Sequence, residues 1–209
     1  MDNLLSRQSI DEYMSSGDVA EALGEKTYFD GDLLKMLERI DLNKPNFIIL
    51  HKRGSHSSSV RLYPDEFQKF DGYYDNSVFY TDFVISGIYD YLKNNSLKET
   101  YLIFTSDHGE MLGEVKGKKG HGWFEKEIWN VPYLYFAINA PDSADNGQNM
   151  VRCHFDVSTL VQKLLGYDSE VEREDERTIY VNGSEMSALG GYMVFKTVKD
   201  SVVSKEIIR

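Results

Sequence analysis

The chain reads as an α/β protein, with a mainly parallel sheet and helices on both of its faces. Three observations predict this. Short β-prone apolar runs at Asn46–Leu50, Tyr101–Thr105 and Val131–Ala137 alternate with longer stretches at helical spacing. An apolar content of 41% with 13% aromatic residues supports a packed core. The residues able to do chemistry follow the apolar runs, and open α/β sheets build sites at the C-terminal ends of their strands.

In chain order, residues 1–27 form a polar lead-in. Ser15-Ser16-Gly17-Asp18 is a turn signal there, and a helical turn is expected near Val19–Leu23. A helix is predicted from Gly31 to about Ile40, with Asp30 as its cap and Leu33, Leu34, Leu37 and Ile40 as its apolar stripe. Pro45 bars its continuation, and Asn46–Leu50 follows as a buried strand. A long helix is predicted from Gly72 to Asn94. Tyr74, Val78, Ile85, Ile88 and Leu92 share one face of it, with Phe79 and Phe83 beside them as core aromatics. Tyr101–Thr105 and Val131–Ala137 are the next strands, and Pro132 is tolerated near the start of the second. Residues 139–150 read as a polar loop. A helix over Val157–Leu165 is capped by Asp156 and stopped by Gly166. The Arg173–Arg177 charge run is a solvated loop, and Thr178–Val181 and Tyr192–Val198 are late strands around Asn182-Gly183.

Composition excludes several classes. Over 209 residues the formal charge is −11, which argues against a nucleic-acid backbone as partner. No apolar run approaches the roughly 20 residues that span a bilayer. Met1–Leu5 lacks the basic and apolar segments of a signal peptide. Cys153 is the single cysteine, so no intramolecular disulfide is possible.

The chemistry concentrates in two places. His51-Lys52-Arg53-Gly54-Ser55-His56 follows the first expected strand, running on into Ser57–Ser59. Ser106-Asp107-His108-Gly109-Glu110 follows the second, and His121-Gly122 closes the same loop. Adjacent carboxylate and imidazole groups suit zinc or a similar divalent ion. Asp107 and His108 are the predicted ligands. A third must come from elsewhere, because catalytic zinc usually holds three protein ligands. His51, His56 and His121 are candidates for a second ion or a transferred phosphate. Glu110 is read as a surface-turn acid or a lysine partner, with a third ligand as the alternative. Lys116, Lys118 and Lys119 form a short basic patch, read as a solvated loop or as an attractor of anionic substrate.

These residues resemble a known family. Ser106-Asp107-His108-Gly109-Glu110, Leu112-Gly113-Glu114 and His121-Gly122 resemble the SDHGE-x-LGE…HG segment of bacterial phosphoethanolamine transferases, within the sulfatase and alkaline phosphatase superfamily. Leu50–His56 with Arg61–Phe67 resembles that family's H-x-x-G-S-H…R-Y-P-x-x-F block, and Tyr74–Ser77 with Tyr80-Thr81-Asp82 its Y-D-N-S-x-x-Y-T-D helix. Asn130-Val131-Pro132 resembles its V-P strand, so the match runs over about residues 28–200. The departures are Ser57–Ser59 after His56, where the family has Gly-Pro, and Gly120 in place of an apolar residue before His121.

The resemblance implies an alkaline-phosphatase-like catalytic domain over 28–209, truncated on its N-terminal side. It implies zinc at Asp107 and His108, with His56 and His121 facing phosphate or a second zinc and His51 nearby. It implies transfer of phosphoethanolamine from phosphatidylethanolamine to lipid A or another surface glycan. A full-length member would work at the periplasmic face of the inner membrane. No block bearing the family's nucleophilic threonine is seen ahead of Tyr28, so the chain alone is expected to be inactive. The alternatives are a sulfatase, phosphodiesterase or phosphoglycerol transferase of the same superfamily, or an inactive remnant serving as a binding domain.

Overall fold

A computed structural model describes residues 11–56, 61–121, 123, 125–140, 154–168, 178–182, 192–198 and 201–208. The Ser57–Ser59 turn, Gly122, most of the 139–150 loop, Cys153, the 173–177 charge run and Gly183 lie outside the described residues. The chain divides into two compact units, Met1–Thr100 and Tyr101–Arg209.

In the first unit the lead-in carries a capped helix, α1 (Ser16–Leu23), which includes and extends the helical turn expected near Val19–Leu23. The Ser15 hydroxyl accepts from the Asp18 amide, and the Asp18 carboxylate accepts from the Ser15 amide at 2.7 Å. This reciprocal pair satisfies two otherwise orphaned donors. Gly24 ends the helix in the left-handed region, at φ 69°. Val19 and Ala20 pack with Tyr28 and Leu33 into a buried cluster.

The next helix is shorter than predicted. A 3-10 turn over Asp30–Asp32 leads into α2 (Leu33–Leu37). Asp30 does not cap it. The Asp32 carboxylate accepts from the Phe29 amide at 2.9 Å instead, and Asp30 turns inward, 3% exposed. Its two oxygens accept from the Arg53 amide at 3.0 Å and the Gly54 amide at 2.9 Å, with the Lys52 ammonium 3.9 Å away.

The long helix α3 (Tyr73–Asn95) forms as predicted, but its buried face is rotated in the first half. Asn76, Ser77, Tyr80, Val84, Ile85, Ile88 and Leu92 are buried, while Val78, Phe79 and Phe83 stay exposed. Asn76 explains the rotation. Its side chain accepts from the Lys69 and Phe70 amides and donates to the Phe70 and Gly72 carbonyls, which holds that face inward. Phe79 and Phe83 cover Phe67, with ring centres 5.9 and 4.8 Å away. Tyr80 ties α3 to the Asp30 turn by accepting from the Gly31 amide at 2.8 Å. Burial pushes its phenol up to about 12.

The predicted strand at Asn46–Leu50 is not formed. The segment belongs to no helix or strand, with Phe47 59% and Ile49 57% exposed. An apolar run becomes a strand only where a neighbour supplies backbone hydrogen bonds, and none of the described strands does so here.

In the second unit β1 (Thr100–Thr105) pairs with β4 (Tyr133–Ile138), both close to the predicted bounds. Tyr101 and Tyr135 stack at 6.0 Å. Between them lie a two-residue antiparallel pair, β2 (Met111–Leu112) with β3 (Lys119–Gly120), and the one-turn helix α4 (Lys126–Trp129). Helix α5 (His154–Leu164) starts earlier than predicted, which puts Asp156 in its first turn instead of at its cap. Gly166, at φ 82°, follows its end as predicted. Strands β5 (Thr178–Asn182), β6 (Tyr192–Val198) and β7 (Ser201–Ile208) form an antiparallel sheet with an irregularity at Lys196/Thr197. The described strands thus make three small sheets and not one wide, mainly parallel sheet. Element order predicts which strands exist; it does not decide which of them pair. No described helix is long and apolar enough to cross a membrane.

Candidate metal centre

The Ser106–His121 loop lies wholly in the second unit, and its shape follows from a few short-range constraints. The Asp107 carboxylate accepts from the His108 amide at 3.1 Å, and the Ser106 hydroxyl donates to the His108 carbonyl at 2.8 Å. Together they close the turn that carries His108 beyond β1. Gly109 is then pressed flat on α4. Its amide donates to the Ile128 carbonyl at 2.6 Å, and a Cβ placed on it would lie 1.8 Å from the Glu127 carbonyl oxygen. Only glycine fits so close an approach. The β2–β3 pair then folds the chain back, setting Met111 opposite Gly120. Gly120 takes a left-handed φ of 82°, and His121 follows it next to Glu110.

Three ligand-type side chains converge as a result. One donor atom from each of His108, Glu110 and His121 lies within 4.8 Å of the others. The two imidazoles stack with centres 4.2 Å apart. The His108 Nδ1–H donates to the Gly109 carbonyl at 2.8 Å, so the lone pair sits on Nε2. Glu110 is the buried member, its side chain 5% exposed. One of its oxygens, Oε2, lies 3.4 Å from His121 Nδ1, while Oε1 is buried and has no hydrogen-bond partner among the described residues. Two imidazoles and a carboxylate form a donor set that suits a borderline divalent ion of the zinc type.

Of the predicted ligands, His108 therefore stands at the centre of the cluster. Asp107 stands at its edge: its side chain is 82% exposed, with Oδ2 3.9 Å from His108 Nε2. His121 belongs to the cluster. His51 and His56 are exposed residues of the first unit.

The sequence reading placed Glu110 in a surface turn or against a lysine. The structure buries it beside His121. The Gly109-Glu110-Met111 triplet does not announce this, because the burial rests on Gly109 meeting Glu127 and Ile128 of α4. His154 was not singled out either. Its Nε2 donates to the Ser106 carbonyl at 2.7 Å, which anchors the start of the loop to α5. The basic patch is only partly a free surface. Lys118 is bonded to Glu125 and lies over the Trp123 ring at 4.9 Å, while Lys116 and Lys119 are exposed.

Comparisons with known proteins converge on the same region. The sulfatase family model matches residues 1–167. The chain is 35% identical over 86 residues to phosphoethanolamine transferase EptA of Salmonella typhimurium, covering 32% of this chain and 16% of that protein. It is 30% identical over 146 residues to EptA of Helicobacter pylori, covering 59% and 27%. It is 29% identical over 154 residues to Kdo(2)-lipid A phosphoethanolamine 7''-transferase of Salmonella typhimurium, again covering 59% and 27%. The chain spans about a quarter or less of the length of these relatives. No solved structure is a significant match. With a family model covering most of its length and a metal-type donor set after the first strand of the second unit, the chain belongs to the sulfatase family.

Proposed function

We propose that these residues are part of the catalytic domain of a metal-dependent phosphoethanolamine transferase. The observation that carries this reading is the convergence of His108, Glu110 and His121 beyond β1, in a chain whose relatives bear that activity in their names. The donor would be phosphatidylethanolamine and the acceptor a lipid A-type glycolipid. In the longer protein the catalysis would take place at the periplasmic face of the inner membrane. Other segments there would supply the threonine nucleophile, a further acidic ligand and strand partners for residues 46–50. Those partners would complete a mainly parallel sheet with helices on both faces.

Zinc would be held around His108, with Asp107 as the adjoining acid. When bound, such an ion neutralises charge on the phosphoryl oxygens and lowers the pKa of an attacking hydroxyl. His108 offers a lone pair on Nε2, fixed there by the Gly109 carbonyl. His121, partly exposed and stacked on His108, can donate to a phosphoryl oxygen. Lys116 and Lys119 present exposed cations to an anionic headgroup in an otherwise acidic chain.

The test is transfer by the longer protein from phosphatidylethanolamine to lipid A, read by mass spectrometry of the acceptor. The expected result is a phosphoethanolamine adduct, lowered on the order of 100-fold by His108→Ala. Cleavage of sulfate esters, or transfer of phosphoglycerol, with no phosphoethanolamine adduct would overturn the reading.

A further inference from the structure

We infer that the β2–β3 hairpin is a membrane-docking element, whose outer face and tip settle on a surface rich in anionic phospholipid. Docking needs no catalysis, so the inference goes beyond the transfer reading above and does not rest on it.

The hairpin has an inner and an outer face. Met111 pairs with Gly120 and is fully buried, so that pair faces inward. Leu112 pairs with Lys119, and directly opposed residues share one face of the ladder. That face is the outer one, and both side chains are exposed. Trp123 extends it. The indole N–H donates to the Lys119 carbonyl at 2.9 Å, which holds a large amphipathic ring beside the lysine while leaving it exposed. The Lys118 ammonium, bonded to Glu125, lies over the same ring and steadies it.

The tip adds a second signal. The Lys118 amide donates to the Val115 carbonyl at 3.0 Å, closing a turn with Lys116, at φ 51°, and Gly117, at φ 72°, as its central residues. Hairpin turns with two left-handed residues favour Asn-Gly or Gly-Gly. A lysine in the first place works against that preference. Strain of this kind persists where the side chain serves a function, and here it sets an exposed ammonium at the tip of the hairpin.

Charge names the occupant. Residues 116–119 hold three lysines, the densest cationic run in a chain of net charge −11. Glu114 is the only acid between Leu112 and Trp123, and one of its oxygens accepts the Leu112 amide at 2.6 Å. Exposed lysines beside an indole and a leucine match the make-up of segments that lie in a lipid headgroup layer. The cations meet phosphate, and the apolar groups enter the acyl boundary. A soluble anion would engage the lysines and leave Trp123 and Leu112 in water. The acidic remainder of the chain is repelled by such a surface, which confines contact to the hairpin.

The test mixes the 209-residue chain with vesicles of phosphatidylcholine alone, or of an equal mixture with phosphatidylglycerol, and measures binding by sedimentation. The expected result is binding to the mixed vesicles only, lost at high salt. Lys116→Gln with Lys119→Gln should lower the partition about tenfold or more. Lys35→Gln with Lys44→Gln removes the same charge from exposed sites of the first unit, and should change it less than about threefold. Depth gives an independent readout in the unaltered chain. Brominated acyl chains should quench its tryptophan emission, and Trp123→Phe, which leaves Trp129, should remove the quenching. The inference is overturned by no binding to the mixed vesicles, by equal losses from the two lysine pairs, or by bound chain whose Trp123 is not quenched. Failure of the longer protein to transfer phosphoethanolamine would leave vesicle binding untouched, so the two readings fail separately.

Discussion

Among the described residues each unit buries one acid, and the two are treated in opposite ways. Asp30, in the first unit, is fully served by its own fold: two backbone amides donate to its two oxygens, and the Lys52 ammonium stands 3.9 Å away. Glu110, in the second, has Oε2 3.4 Å from the His121 imidazole and an Oε1 without a hydrogen-bond partner among the described residues. A buried carboxylate whose needs are met within the fold is a structural pin. One left half-satisfied carries an unmet demand at the centre of its loop.

The largest expected effect falls on the pin. Asp30→Ala removes the partner of two amides and the carboxylate beside the nearly buried Lys52 ammonium, which keeps its bond to the Thr81 hydroxyl. Burial already holds the Lys52 pKa below its ordinary value, against the pull of Asp30. The variant should lose about 3–5 kcal/mol in urea unfolding. A loss below about 1 kcal/mol would erase the contrast between the two acids.

Gly109→Ala sharpens the other side. The added Cβ meets the Glu127 carbonyl at 1.8 Å, so the turn has to move off α4. The expected cost is about 1–3 kcal/mol, and zinc binding should fall with it because Glu110 and His108 flank the moved residue. Unchanged zinc affinity in a destabilised variant would show that the turn does not set the ligand geometry.

Tyr80→Phe tests the surroundings of Asp30 through pH. The phenol is raised from 10.0 to about 12 in the folded state, chiefly by burial, and Asp30 adds to the shift. An acid with a raised folded pKa stabilises the fold fully below its unfolded value and loses that contribution as pH rises through the folded one. Stability should therefore fall between pH 10 and 12 in the parent chain, and fall less steeply in Tyr80→Phe. That variant also loses the acceptor of the Gly31 amide, about 1 kcal/mol at neutral pH. Parallel stability profiles for the two chains would contradict the assignment.

The smallest effect is Glu110→Gln without metal. Removing a half-satisfied buried charge should change stability by less than about 1 kcal/mol in either direction. A loss above about 2 kcal/mol would show that the fold already serves Glu110.

What the sequence made legible was local. The strands β1 and β4, the extent of α3 and the Gly166 stop follow from periodicity and turn chemistry within a few residues. So does the placing of His108 and His121 in one loop. The failures were non-local. The Asn46–Leu50 run has a strand's composition, yet a strand is a pairing, and its apolar side chains stay exposed. The α3 face was misassigned in its first half because Val78, Phe79 and Phe83 surround it with apolar choices, and the decision belongs to hydrogen bonds made by Asn76. Glu110 was assigned to the surface because an acid in a glycine-rich loop usually lies there. Its burial depends on Gly109 meeting α4 some eighteen residues further along the chain, a contact that no window of periodicity contains. Strand β7 was passed over, although Val202, Val203, Ile207 and Ile208 carry a β-branched signal.

The most direct test of the central claim is a crystal structure of the zinc-loaded chain, with the ion located by its anomalous scattering. The account predicts one ion bonded to His108 Nε2 at about 2.0–2.1 Å, with Asp107 as the adjoining acid. An ion held elsewhere on the chain, with His108 outside its shell, would contradict it.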